Sequence, residues 1–289
     1  MMENDASRLA PRASRVFSFE FFPPKTAEGR EKLRATWQQL AQLKPRFFSV
    51  TFGAGGSTQQ GTLDTVVEIR AAGHHAAPHI SCVASSKAEI AAILAKYKEH
   101  GIRHLVALRG DLPSGLASSG EFRYANELVA YIRESTGDWF HVEVACYPEY
   151  HPQTRNAADE IRNFKRKVDA GANSAITQYF YNADAYFRFV EECQAAGITV
   201  PIVPGIMPIG NFAQLARFSD ACGAEIPRWM RIKLEGFRDD AASIRAFGLD
   251  VVTTLCDKLL AAGAPGLHFY TLNQAGATSA IWQRLGLSA

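Results

Sequence analysis

The sequence predicts an α/β fold in which about eight strand–helix units close a parallel barrel, and three observations lead there. Five amphipathic segments end at a glycine, namely Gly73, Gly101, Gly171, Gly197 and Gly263, and each hands over to a short β-rich run. Glycine just past a helix end supplies the left-handed C-cap conformation. With VFSFEFF, RFFSVTFG and FHVEVACYP added there are about eight such runs, nearly apolar on both faces, as strands are in a parallel sheet covered by helices. About eight units in ~250 residues is the size of a (β/α)8 barrel of the TIM type. The expected organisation is therefore a loose arm over residues 1–15 and one barrel domain over residues 16–289. An open doubly wound sheet is the alternative, but GAGGS at residues 53–57 follows a strand without fitting G-x-G-x-x-G.

Taken in order, the first strand raises the sharpest question. VFSFEFFPPK places Ser18, Glu20 and Phe22 on one face and Phe17, Phe19 and Phe21 on the other. A lone ionised carboxylate in such a strand costs several kcal/mol or more unless it is paired, neutralised or used in chemistry. The first helix follows with Leu33, Trp37, Leu40 and Ala41 on one face, and Thr51 ends the second strand. His79 lies in the third strand, and Ser86 with Glu89 forms a capping box ahead of Ile90, Ile93, Leu94 and Tyr97. Arg109, Gly110 and Asp111 follow strand four, Tyr147 follows strand five, and Gln178 belongs to strand six. Glu143 stands early in its strand and reads as structural. Because barrel active sites are built from the C-terminal ends of strands, Glu20, Thr51, His79, Arg109, Asp111, Tyr147 and Gln178 are expected around one mouth. Read singly, several of these residues also suit ordinary barrel-interior roles. Lys165, Arg166 and Lys167 read most simply as a solvated helix face, although Asn163 and Lys167 share a face with Glu160 that would suit a phosphate or ribose.

Composition excludes other classes. The 289 residues are 47% hydrophobic with a formal net charge of +2, far from the basic excess of a nucleic-acid binder. No apolar run reaches the eighteen or so residues that span a bilayer and the N-terminus has no apolar signal core, so a cytoplasmic protein without membrane or nucleic-acid partners is expected. The five cysteines are scattered without a C-x-x-C pair, which fits reduced thiols. His74, His75 and His79 lack ligand-spaced neighbours, so no metal site is expected.

Residues alone thus suggest a barrel enzyme with a buried acid in a polar, aromatic pocket, and name no substrate. The motifs FSFEFFPPK, SVTFGAGGS, APHISC, GIRHLVALRGDLP, CYPEYHP, FKRKVDAGANSAITQYFY, PIVPGIMPIGNF and HFYTLN, in that order, resemble the 5,10-methylenetetrahydrofolate reductase family across residues 17–287. The length resembles that of the bacterial, single-domain members. The resemblance implies an FAD-dependent enzyme that moves a hydride from NAD(P)H to 5,10-methylenetetrahydrofolate, giving 5-methyltetrahydrofolate by a ping-pong order, and a homo-oligomer, dimer or tetramer. By matching motifs, Glu20 is the implied general acid, with its pKa raised by an apolar setting, and Asp111 lies near both flavin and pterin. Gln178, Phe212 and Gln274 join Glu20 and Asp111 as implied substrate residues. The implied FAD positions are Thr51, His79, Arg109, Gly110, Asp111, Tyr124, Ala125, Tyr147, His151, Glu160, Asn163, Arg166 and Lys167. Glu160 stands where the family carries aspartate, and Gln274 stands where bacterial members carry arginine. Other readings are a non-catalytic flavin- or folate-binding barrel, the same chemistry run physiologically toward oxidation, and an unrelated lyase or aldolase. The last would show a Schiff-base lysine or metal ligands at strand ends, and neither motif occurs.

Overall fold

In the computed structural model, which describes residues 15–53, 59–110 and 120–287, strands and helices alternate around a parallel barrel. The expected N-terminal arm, apart from Arg15, lies outside the described residues, as do Asp111 and most of the 53–61 loop. The strands are β1 (Val16–Phe21), β2 (Phe47–Val50), β3 (Ala76–Ser81), β4 (His104–Leu108), β5 (His141–Cys146), β6 (Ser174–Thr177), β7 (Ile202–Val203), β8 (Gly205–Ile206) and β9 (Gly266–Tyr270). All pairings are parallel, in the order β7-β6-β5-β4-β3-β2-β1-β9-β8.

Nine strands make an eight-stranded barrel because β7 and β8 are one strand interrupted at Pro204. Proline has no N–H to give to a ladder, so pairing must break there. The chain uses the break to change partners: β7 pairs with β6 and β8 pairs with β9. Pro204 still accepts from His268 N at 3.0 Å, and Gly205 N donates to Thr177 Oγ1 at 2.9 Å. A Cβ at Gly205 would fall on Thr177 O and the Tyr270 ring, so the closing strand needs glycine at this point.

The helices are α1 (Ala27–Ala41), α2 (Gln59–Ala71), α3 (Lys87–Glu99), α4 (Ala125–Thr136), α5 (Ala157–Asp169), α6 (Ala183–Ala195), α7 (Phe212–Cys222), α8 (Arg228–Gly236), α9 (Ala241–Ala261) and α10 (Gly276–Arg284). The expected faces are present: α1 buries Leu33, Trp37, Leu40 and Ala41, and α3 buries Ile90, Ile93, Leu94 and Tyr97 behind the Ser86–Glu89 capping box. All five predicted C-cap glycines have positive φ. One connection departs from a single helix per unit, since α7, α8 and α9 all lie between β8 and β9.

The main core fills the space between barrel and helices, where Phe19, Phe21, Phe48 and Phe269 meet Trp37, Leu40 and Trp282. A smaller cluster of Phe47, Ala77, Val106 and Ile176 plugs the barrel interior. Four of the five cysteines are buried and all are free thiols. Among the described residues no helix is long and apolar enough to cross a membrane.

Candidate active site

Strand alternation turns Ser18 and Glu20 into the barrel and Phe19 and Phe21 out to the helices, so Glu20 stands at the C-terminal end of the interior with 18% of its side chain exposed. It is not alone there. Its Oε2 lies 3.3 Å from His79 Nε2 on β3 and 3.4 Å from His268 Nε2 on β9. His268 is wholly buried, and its Nδ1 is 2.7 Å from Ser18 Oγ, one turn of the strand below Glu20. Main-chain bonds fix the carboxylate's strand: Thr51 N donates to Phe21 O at 2.8 Å, and Thr271 Oγ1 to Glu20 O at 2.6 Å.

This environment reverses the expected titration of Glu20. Burial alone raises the pKa, as the sequence suggested, but the hydrogen bond from His268, the close approach of His79 and the positive charge those rings carry when protonated outweigh it and hold Glu20 at about 2. The sequence reading missed His268. It sits inside the HFYTLN motif, two residues before Tyr270 on one strand face, but its meeting with Glu20 across 248 residues depends on barrel closure.

At the same end of the barrel, a cavity of about 670 Å³ opens along the ends of β4 and β5 toward α4 and α5. Its lining includes Arg109, Gly110, Tyr124, Ala125, Tyr147, His151, Glu160, Asn163, Arg166 and Lys167, ten of the thirteen cofactor positions expected from the sequence. Thr51 and His79 do not line it, and His79 faces Glu20 instead. Gly110 has φ +84°, and a Cβ there would fall on Ser81 Oγ, so the chain passes the cavity floor in a conformation suited to glycine. Tyr147 and His151 meet edge to face with centroids 4.7 Å apart, and Lys167 Nζ lies 5.6 Å over the Tyr147 ring.

The cationic wall is more specific than a solvated helix face. Lys165 does pair with Asp169 at 2.7 Å, but Lys167 turns inward and donates to Ala145 O at 2.8 Å. Burial lowers the Lys167 pKa, partly offset by the charge of Glu160. Arg109 is held by Gln153 Oε1 at 2.6 Å. Arg155 and Arg162 also line the cavity and were not singled out in the sequence. Glu160 is buried, and its Oε2 accepts from His151 N at 3.2 Å and Thr154 Oγ1 at 2.8 Å, so that oxygen holds the 151–154 turn. At α4, the N-cap Tyr124 makes no side-chain cap bond; Glu127 N donates to Tyr124 O at 3.1 Å, so the amides of Ala125 and Asn126, both on the cavity wall, are the ones placed toward a bound anion.

Among the described residues, Gln178, Phe212 and Gln274 stand on the segments that follow β6, β8 and β9. Gln178 follows β6 rather than lying within it, and its Oε1 accepts from Tyr179 N at 3.0 Å. Phe212 is the first residue of α7, half-buried against the core. Gln274 is exposed after β9, beyond Leu272 and Asn273 with φ of 52° and 57°. The Asn273 side chain bridges to Phe22, accepting from its N at 3.0 Å and donating to its O at 2.9 Å, which ties the loops after β9 and β1.

The family model for methylenetetrahydrofolate reductase matches residues 6–286. The chain belongs to the methylenetetrahydrofolate reductase family. It is 42% identical over 271 residues to 5,10-methylenetetrahydrofolate reductase of Salmonella typhimurium, covering 93% of this chain and 90% of that one, and equally similar to the Escherichia coli protein. A probable methylenetetrahydrofolate reductase (NADH) of Oryza sativa is 39% identical over 286 residues, 94% of this chain and 48% of the plant protein. Among solved structures, a Clostridium thermocellum protein described as binding two copies of 5-methyl-5,6,7,8-tetrahydrofolic acid aligns with TM-score 0.66 at 14% identity, over 97% of this chain and 96% of that one, which supports the barrel fold.

Methylenetetrahydrofolate reductases are FAD-dependent oxidoreductases of folate and methionine metabolism, and this chain is one of them. The cavity fits that cofactor: it joins a glycine approach, an uncapped helix N-terminus and several cations, a donor set suited to a dinucleotide's phosphates.

Proposed function

We propose that Glu20, His79 and His268 together supply the proton that opens the folate ring, while the β4–β5 cavity holds FAD. When bound, the flavin takes a hydride from NAD(P)H and gives it to the folate methylene carbon. The convergence of two imidazoles on the single oxygen Oε2 of Glu20 carries the reading. A carboxyl held at about 2 is ionised at neutral pH, so Glu20 does not store the proton by itself. A proton held by the cluster passes from imidazole to Oε2 and from there to the bridging nitrogen of 5,10-methylenetetrahydrofolate, so that the ring opens to an iminium.

Around that step, Arg109, Arg166 and Lys167 neutralise cofactor phosphates, the first turn of α4 adds amide donors, and Tyr147 packs beside the cofactor. Gln178, Phe212 and Gln274 contact folate or nicotinamide, which occupy one place in turn, and Asp111 stabilises the cationic iminium. Residues 16–289 act as one catalytic domain in the cytoplasm. The exposed apolar Trp229 and Ile232 on α8 suit a homo-oligomer, which sedimentation would test.

Rapid mixing of Glu20→Gln tests the acid role. Flavin reduction by NAD(P)H, which needs no proton from Glu20, should stay within about threefold of wild type, whereas reoxidation by folate should slow at least ~100-fold. Unimpaired folate reduction would eliminate the role, and loss of both half-reactions together with FAD would make Glu20 a cofactor-positioning residue.

A further inference from the structure

The N-terminal end of the barrel carries a second group of one carboxylate and two imidazoles, which the reductase chemistry does not use. His104 opens β4, His141 opens β5, and Glu143 follows two residues later on the same strand face. The parallel register sets His104 directly beside His141, with ring centroids 4.7 Å apart at 78°. Glu143 Oε1 is 3.0 Å from His104 Nε2 and 3.9 Å from His141 Nε2, and the three ligand atoms all lie within 4.8 Å of one another.

We propose that His104, His141 and Glu143 bind a divalent transition-metal ion of the zinc class. Two imidazoles and a carboxylate are a donor set that Zn²⁺ takes, and metal–ligand bonds of ~2.0–2.1 Å at the tetrahedral angle put ligand atoms roughly 3.3 Å apart. The two separations from Glu143 Oε1 bracket that value, and with all three ligand atoms within 4.8 Å of one another an ion would draw the two imidazoles together by side-chain rotation.

An independent observation comes from the other carboxylate oxygen. Glu143 Oε2 is buried without a hydrogen-bond partner among the described residues, on a side chain only 4% exposed. An unsatisfied charged oxygen in that position is costly, and a cation answers the need.

His141 is 47% exposed, which gives an ion a route from solvent. Ser174 Oγ lies 2.7 Å from His141 Nε2 and is register-paired with Glu143, so an ion that takes this nitrogen displaces the serine bond and leaves the hydroxyl beside the site, where it can hold a water in the fourth coordination position. None of the three residues lines the cofactor cavity. A bound ion would clamp β4 to β5 and stabilise the folded chain by mass action, leaving catalysis to the opposite end.

The test uses untagged holoenzyme, stripped by a chelator and titrated with Zn²⁺ against a chromophoric competitor, with Co²⁺ as a spectroscopic stand-in. The expected result is one ion per chain, a visible Co²⁺ ligand-field spectrum and a raised melting temperature. His141→Ala, which removes a half-exposed side chain, should weaken Zn²⁺ at least ~10-fold with FAD content and turnover retained, as should His104→Ala. If the wild type holds no Zn²⁺ against the competitor, or if both variants bind it as tightly as wild type, the residues form a hydrogen-bonded polar cluster only and the proposal is overturned.

Discussion

The two ends of the barrel carry the same three side chains, one glutamate and two histidines, in different chemical settings. At the C-terminal end, where the large cavity also opens, both imidazoles converge on one oxygen of Glu20, at 3.3 and 3.4 Å. At the N-terminal end His104 alone bonds Glu143, at 3.0 Å, while His141 turns to Ser174 and one carboxylate oxygen has no partner among the described residues. Burial raises both carboxylate pKa values and histidine partners reverse the sign in each. The lesson is that an acid–imidazole group takes its role from what it faces. At the C-terminal mouth, with Glu20 partly exposed, it can exchange protons with a substrate, and facing solvent through one half-exposed histidine it can collect an ion.

The same substitution at both ends gives the largest expected contrast. Glu20→Gln should cost at least ~100-fold in folate reduction, about 2.7 kcal/mol of transition-state stabilisation, with a smaller effect on stability. Glu143→Gln should keep turnover within about threefold and lower unfolding stability by ~1–3 kcal/mol, the range for a hydrogen bond to a charged group. Steady-state kinetics and denaturant melts on both proteins check this. A Glu143 variant that keeps FAD and folds as stably as wild type, yet fails to reduce folate, would break the comparison.

What could be read in advance follows the range of the interactions. Helix caps, the buried stripes of α1 and α3, and the alternation of β1 are local patterns, and Gly73, Gly101, Gly171, Gly197 and Gly263 announced their turns individually. Ten cavity residues were legible through motifs on consecutive units. His268 was not, because its partner belongs to the strand at the far end of the chain and only ring closure joins β9 to β1. The depressed pKa of Glu20 was missed for the same reason: an apolar strand predicts burial, while the imidazoles that oppose it arrive from two other strands. The strand break at Pro204 and the three helices between β8 and β9 have no counterpart in a repeat of single strands and helices.

Acid and alkali should sharpen the comparison with a smaller effect. Glu20 is depressed from 4.5 to about 2, so its contribution to stability is present above ~4.5 and is lost as the pH falls toward 2. Glu149, in the loop after β5, behaves oppositely. Burial raises it to about 7, against the hydrogen bond from Glu225 N at 2.8 Å. Folding therefore takes up a proton there between 4.5 and about 7, and the contribution is present below that window and lost as pH rises through it. Glu149→Gln should remove about 1–2 kcal/mol of pH dependence between pH 5 and 7, allowing for its partial exposure, and leave the acid limb to Glu20 and Glu143. Denaturant melts across pH 3–8 measure both limbs, and an unaltered slope between 5 and 7 in the variant would remove Glu149 as its source.

The smallest expected effect belongs to the rim above Glu20, where Gln274 stands exposed on the loop that Asn273 ties to Phe22. A neutral amide there can donate a hydrogen bond to an anionic folate tail, but it brings no charge. Gln274→Arg supplies a fixed cation on the same anchored loop, and charge-assisted bonds exceed neutral ones by about 1 kcal/mol. Folate affinity should tighten ~5-fold by that amount, most for polyglutamylated forms, with weakening at higher salt because the position is exposed. NAD(P)H kinetics, Zn²⁺ affinity at the far end and the Glu20-dependent proton step should not move. If the folate Michaelis constant for a polyglutamate substrate is unchanged, position 274 does not face the tail, and specificity at this end of the barrel resides below the rim, in the residues around Glu20.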